Sequence, residues 1–338
     1  MQPCSLAEVG AAESEPLEPL EAAEADVESE SPTDETEEDR HTPLWRAVRE
    51  WHEAMPPESL LELRQTLMAV SSAPFKIGTA CSGSDVLLVL FRELADFWSE
   101  VLGVPFTFRH CFACEKQPLV QEFLLQHFSD LEVLVPDLSF MGDHSVPSIG
   151  RDGKTESVEL PKVHFFAAGF VCKSRSKLNA QASAHRGCVQ KGTELTGESF
   201  AATCAYIKGY RPQWPVSQRW KFDEHAADSA ELPRDFWLAI HIAAMRNLRN
   251  GPLRHRPWIV LLENVASLSE KVPETGVSDA DWIVDWFARE GYECTMVKCD
   301  ARTYGSLPRR ERLYWIAVDG GNKVQLGKVS EVLNSAHA

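Results

Sequence analysis

No stretch of the chain approaches about eighteen uninterrupted apolar residues, so no membrane-spanning helix and no membrane partner is expected. The N-terminus has neither the basic nor the apolar region of a secretory signal, and the protein is expected inside the cell, in the nucleus if that cell is eukaryotic. A GxGxxG fingerprint is also absent, which removes the main support for a dinucleotide-dependent dehydrogenase. Cys111 and Cys114 form a CxxC with no second pair at zinc-ligand spacing. They read as buried strand cysteines, and no metal is expected. Nine scattered cysteines, an odd number, fit a reducing compartment better than a disulfide framework.

Aromatic residues are missing from the first 41 positions, which are rich in Glu, Ala, Ser and Pro. Such a segment cannot bury enough surface to offset the entropy of ordering it, so residues 1–41 are expected to form a disordered acidic tail. Fourteen of the first forty residues are acidic against the single base Arg40, which accounts for most of the net charge of −16. The remainder is close to neutral. An acidic chain of this kind does not exclude a nucleic-acid partner, although its tail would repel phosphate.

Apolar residues make up 44% of the 338 residues, enough for a sizeable core. Residues 42–74 read as a helical lead-in, with Thr42 as N-cap and Pro43 at the first helical position. From Phe75 onward short apolar runs alternate with helical patterns, as in an α/β sheet. Strands are expected at 76–79, 108–113, 164–168 and 258–262, each ending in a polar loop. Residues 213–256 are irregular and read as an insertion, and 321–338 as a C-terminal tail.

Chemistry-bearing residues gather at the C-terminal ends of these strands, where ligands bind in open α/β sheets. The loop Cys81-Ser82-Gly83-Ser84-Asp85 opens a helix and offers backbone N–H groups to a ligand, or simply makes a tight turn. Glu115 and Asp137 follow successive strands, and acids so placed suit the hydroxyls of a ribose and an adenosine-like ligand. Gly169-Phe170-Val171-Cys172 is followed by Lys173, Arg175 and Lys177, so Cys172 reads either as a thiolate favoured by positive charge or as a buried structural cysteine. The apolar run 259–262 ends in Glu263 and Asn264, and partial burial would raise the pKa of that acid. A basic loop carrying Arg309, Arg310 and Arg312 precedes a final apolar strand.

In this order the segments resemble the C5-cytosine methyltransferase family, over residues 75–318. Cys81-Ser82-Gly83 is similar to the family's first S-adenosylmethionine loop, Gly169-Phe170-Val171-Cys172 resembles its Gly-Phe-Pro-Cys loop, and Glu263-Asn264-Val265 is identical to its Glu-Asn-Val. Tyr304-Gly305 with Arg310-Glu311-Arg312 is similar to its tyrosine-glycine and Gln-x-Arg-x-Arg segment. Asp85, Val171, Lys173 and Pro308 depart from the family's usual second glycine, proline, glutamine and glutamine.

The resemblance implies a Rossmann-like methyltransferase domain over residues 75–320, with a mostly parallel sheet and helices on both faces. It implies S-adenosylmethionine as cofactor, bound by Cys81, Ser82, Gly83, Ser84, Asp85, Glu115, Asp137 and Gly169. Cys172 would add to C6 of a flipped cytosine so that C5 can take the methyl group. Glu263, Arg310 and Arg312 would steady the base and the developing charge, and Asn264, Lys173 and Arg175 would contact the substrate. DNA is the expected substrate, with RNA possible because these residues do not distinguish the sugars. The family's target-recognition region and closing motifs are not evident in the 26 residues after Arg312, so a partner protein supplying recognition is expected. A noncatalytic module that keeps only the fold is the alternative.

Overall fold

The computed structural model describes residues 43–169, 247–304 and 310–320, except Ser82, Ser84 and Glu274, together with Met245. The expected tail at 1–41, most of the expected insertion and the expected C-terminal tail at 321–338 lie outside the described residues.

Seven strands form the central sheet: β1 (Phe75–Ala80), β2 (Phe108–Cys114), β3 (Val133–Val135), β6 (Phe165–Gly169), β7 (Ile259–Val265), β8 (Tyr292–Asp300) and β9 (Glu311–Asp319). Their order is β3-β2-β1-β6-β7-β9-β8. Neighbours from β3 to β7 pair in parallel, whereas β9 runs antiparallel to both β7 and β8. The chain leaves β1 toward β2 and β3 on one side and returns through β6 on the other. This reversal between β1 and β6 opens a crevice at the C-terminal strand ends. A mostly parallel, Rossmann-like α/β sheet with one inverted strand is therefore the architecture. The hairpin of β4 (Ser145–Ile149) and β5 (Thr155–Glu159) stands apart as a two-stranded sheet.

The period of two along each strand divides the core into two faces. Phe165 and Ala167 of β6 pack with Ile77, with Leu88 and Ala95 of α3 (Val86–Leu102), and with Leu124 of α4 (Pro118–His127). Leu67 of α2 (Pro57–Val70) joins the same cluster. Phe166 and Ala168 pack oppositely, with Val260 and Leu262 of β7 and with Ile283, Trp286 and Phe287 of α5 (Asp279–Arg289). Met245, Leu248 and Leu253 are buried in this second cluster. The apolar face of α1 (Pro43–Glu53) sets Trp45 and Val48 against Phe97 of α3.

Local chemistry fixes several of these elements. Ser278 caps α5 by accepting a hydrogen bond from the Asp281 N–H at 3.0 Å, and Asp279 and Asp281 in the first turn favour the positive end of the helix dipole. Gly103 ends α3 at a φ of 62°, in the left-handed region where a side chain is strained. The strands run slightly further than periodicity predicts: β7 extends to Val265, so Glu263 and Asn264 lie inside it rather than beyond it. Both are held there by pairing with β9, a partner that a parallel-sheet pattern does not reveal.

Gly78 stands mid-strand where β1 and β2 change register, and the ring of fully buried Phe112 occupies the space a Cβ would need. Replacing Gly78 with Ala forces ring and strand apart. The expected cost is about 1–3 kcal/mol, the usual range for overpacking, read as a lower midpoint in chemical denaturation with an unchanged slope. A midpoint equal to wild type would show that the ring moves freely.

Candidate active site

β1, β2, β3, β6 and β7 all end at the same edge of the sheet, and each delivers a residue to it. At the end of β1 the backbone turns through Cys81, Gly83 and Asp85 with φ values of 53°, 61° and 56°. For Cys81, a non-glycine residue, this conformation is strained, and the Cys81 N–H is held by the Cys114 carbonyl at 2.7 Å. Ser82 and Ser84 lie outside the described residues.

Asp85 is drawn inward rather than to the open edge. Its carboxylate accepts a hydrogen bond from the Thr79 hydroxyl at 2.7 Å and lies 3.5 Å from Nε2 of His110, with both side chains fully buried. Burial is the largest influence on His110 and lowers its pKa to about 4, so near neutrality the ring beside Asp85 is a neutral imidazole and the contact is not an ion pair. Asp85 thus pins the loop to β1 and β2. The alternation of β2, which turns His110 inward, was the available signal for this role.

Glu115 follows β2, and its Oε1 accepts from the N–H groups of Lys116 and Gln117 at 2.7 and 3.0 Å. These bonds orient the carboxylate at the strand end. Gln121, whose role the sequence does not announce, donates to the carbonyls of Glu115 at 2.6 Å and Pro136 at 3.2 Å, tying the ends of β2 and β3 together. Asp137 is buried just beyond β3. Burial, followed by Cys81, Asp137 and Glu115 around it, pushes the Cys114 thiol far above its ordinary value. The expected cofactor residues Cys81, Glu115 and Asp137 therefore converge on one spot.

Gly169 ends β6 directly opposite Glu263 of β7. A Cβ there would lie 3.2 Å from the Cys81 carbonyl and 3.3 Å from Oε2 of Glu263, so glycine is what lets the three strand ends close together. On β9, Tyr314 faces Glu263 and Arg312 faces Val265, which makes Arg312 the diagonal neighbour of Glu263. Arg312 Nε lies 2.7 Å from Oε1 of Glu263, both side chains being partly buried. The Arg312 guanidinium also donates to the Glu311 carbonyl at 2.9 Å. Arg310 is exposed, its backbone N–H bonded to Asp300 at 3.1 Å.

Burial raises the pKa of Glu263, and the positive charges of Arg312 and Arg310 oppose that rise without cancelling it. An acid so balanced can both accept and give a proton near its ligand. Asn264, one residue on, turns to the other face, where it is 1% exposed and its Oδ1 accepts from the Val265 N–H at 2.8 Å. The period of two makes direct substrate contact by both neighbours from one face impossible. Cys172, Lys173 and Arg175 lie outside the described residues. Among the described residues no cluster of three or more groups suits a metal ion, and no helix is long and apolar enough to cross a membrane.

Glu263, Asn264, Arg310 and Arg312 all fall within residues 253–336, which match the family model of the C-5 cytosine-specific DNA methylase. That match covers 84 of the 338 residues, about a quarter of the chain. It is similar to the DNA (cytosine-5-)-methyltransferase DMT5 of Cryptococcus neoformans, 20% identical over 293 residues that make up 82% of this chain and 10% of that protein. It thus spans about a tenth of the length of this curated relative. Among solved structures it is similar to the methyltransferase EhMeth of Entamoeba histolytica, with a TM-score of 0.38 and 12% identity over 75% of this chain and 56% of that one. A second is the Dnmt2 methyltransferase of S. pombe, with a TM-score of 0.35 and 12% identity over 77% and 55% of the two chains. The sheet order itself carries the fold assignment.

The Glu263 pKa sets a sign that titration can read. Being raised in the folded chain, it contributes stability that is present below the ordinary glutamate range and lost as pH rises through the folded value. Arg312→Gln removes the strongest opposing charge and is expected to move the Glu263 midpoint further up, measured by carbon-13 NMR of the side-chain carboxyl. A midpoint that falls in the variant would contradict the arrangement.

Proposed function

We propose that the chain transfers a methyl group from S-adenosylmethionine to C5 of cytosine in DNA, through a covalent adduct on Cys172. The observation that carries this reading is the partly buried Glu263–Arg312 pair, set against Gly169 and Cys81 at the edge where β1, β6 and β7 end. The residues on the cofactor side fit an adenosine-bearing ligand: an oriented carboxylate at Glu115, a buried acid at Asp137, and left-handed backbone at Cys81 and Gly83. The cofactor supplies an electrophilic methyl group when bound.

The chain's own groups do the rest. Cytosine C5 is a poor nucleophile until C6 is attacked, and Cys172, three residues beyond Gly169 in sequence, is the candidate thiolate. Glu263, its pKa raised by burial, hydrogen-bonds the base at N3 and shares a proton there, which stabilises the adduct as its ring charge develops. Arg312 fixes the carboxylate and tempers that charge. Loss of the C5 proton then permits elimination of the thiolate. A cytosine paired in a duplex cannot reach these groups, so the base must leave the stack.

DNA containing 5-fluorocytosine tests the reading, because fluorine at C5 blocks the last elimination. With S-adenosylmethionine present, wild type is expected to give a band shifted on a denaturing gel, and Cys172→Ser none. Glu115→Ala is expected to weaken cofactor binding by about 1.5–3 kcal/mol, the range for hydrogen bonds to a charged group, measured by calorimetry. An adduct that persists in Cys172→Ser would reject the nucleophile, and adduct formation on matched RNA alone would reject DNA as substrate.

A further inference from the structure

A second recess lies at the opposite edge of the sheet, where β7 and β8 begin, roughly 20 Å from the Glu263 end for a strand the length of β7. Its volume is about 510 Å³, and its wall carries three arginines, Arg249, Arg254 and Arg256, against one carboxylate, Glu290, with His144 and Tyr292 beside them. Two glycines allow its walls to meet. A Cβ on Gly142 would lie 2.8 Å from the Asn247 side chain, and one on Gly251 would overlap the Met141 carbonyl. Segments more than a hundred residues apart are thereby pressed together, and His144 comes within 3.3 Å of Arg254.

The arginines of this recess are not equivalent. Arg249 is paired with Glu290 at 2.9 Å, and Arg256 with Asp319. Arg254 meets no carboxylate among the described residues. Its guanidinium donates instead to Nδ1 of His144 at 3.3 Å and to Nε2 of His255 at 3.2 Å. Accepting these bonds requires both rings to be neutral. Burial, then the charges of Arg254 and Lys162, lower the His255 pKa and keep that ring neutral, with Glu159 opposing. A cation flanked by two imidazoles and set in a concave wall lacks the anion that its neighbours already have.

We propose that this recess binds a phosphate group. Arg254 has N–H groups beyond the two that its imidazole acceptors engage, and the guanidiniums of Arg249 and Arg256 line the same wall, an arrangement of donors that suits an oxyanion. The site is separate from the methyl-transfer edge and does not depend on the function assigned there.

The test uses the full chain, titrated with inorganic phosphate and then with a nucleoside monophosphate by calorimetry, against chloride at matched ionic strength. Wild type is expected to bind phosphate saturably at one site. Arg254→Gln is expected to weaken binding by about tenfold or more, as loss of a charged donor does, and His144→Ala to weaken it severalfold by releasing the guanidinium that His144 orients. His144 is exposed, so its replacement keeps the test valid if Arg254→Gln fails to fold. Lys154→Ala, on the exposed β4–β5 turn, is expected to bind as wild type. Phosphate-competitive binding of the monophosphate identifies an ester as the ligand, and binding of phosphate alone identifies the free ion; either sustains the site. No saturable binding by wild type, or equal weakening in Lys154→Ala, overturns it.

Discussion

The candidate active site depends on one ion pair made across a strand boundary that runs the wrong way for the rest of the sheet. Glu263 sits on β7 and Arg312 on β9, and only antiparallel pairing places them diagonally on one face at 2.7 Å. A parallel β9 would send the arginine to another register. The pair leaves Glu263 with a raised pKa even beside a cation, because burial outweighs the attraction. A carboxyl held in that balance is useful to a base that must be protonated while it reacts.

Around this pair the other strand ends are brought close by small residues and by polar groups turned inward. Gly169 removes a Cβ that would crowd both Glu263 and the Cys81 backbone. Asp85, Thr79 and His110 form a buried set beneath the first loop, and Gln121 fastens the next two strand ends. The side chains of these groups are spent on one another and on the strand ends. They hold the first loop in place, which is how a strained left-handed Cys81 persists in the fold.

Much of this edge was legible in the sequence because each element announces itself locally. Phe75–Ala80, Phe108–Cys114 and Phe165–Gly169 are apolar runs bounded by polar loops, and Glu115, Gly169 and Glu263 stand at or near their ends. What stayed hidden depends on partners distant in sequence. Asp85 reads as a ligand-facing loop acid, yet its carboxylate is claimed by Thr79 and His110. Asn264 reads as Glu263's companion, yet the strand period turns it to the other face. The β4–β5 hairpin shows little strand pattern in the sequence because β4 is short and carries Pro147 and β5 is polar and exposed, and the recess around Arg254 is assembled from separate segments whose contact no local motif encodes.

The central claim is that this edge directs a methyl group to one carbon of one base. The most direct measurement supplies the full chain with isotopically labelled S-adenosylmethionine and a cytosine-containing duplex, digests the product to nucleosides, and identifies the labelled species by mass spectrometry against standards. The account predicts label in 5-methyl-2′-deoxycytidine, and none when Glu263 is replaced by Ala. Label on the exocyclic amine of cytosine, on adenine, or undiminished in Glu263→Ala would contradict it.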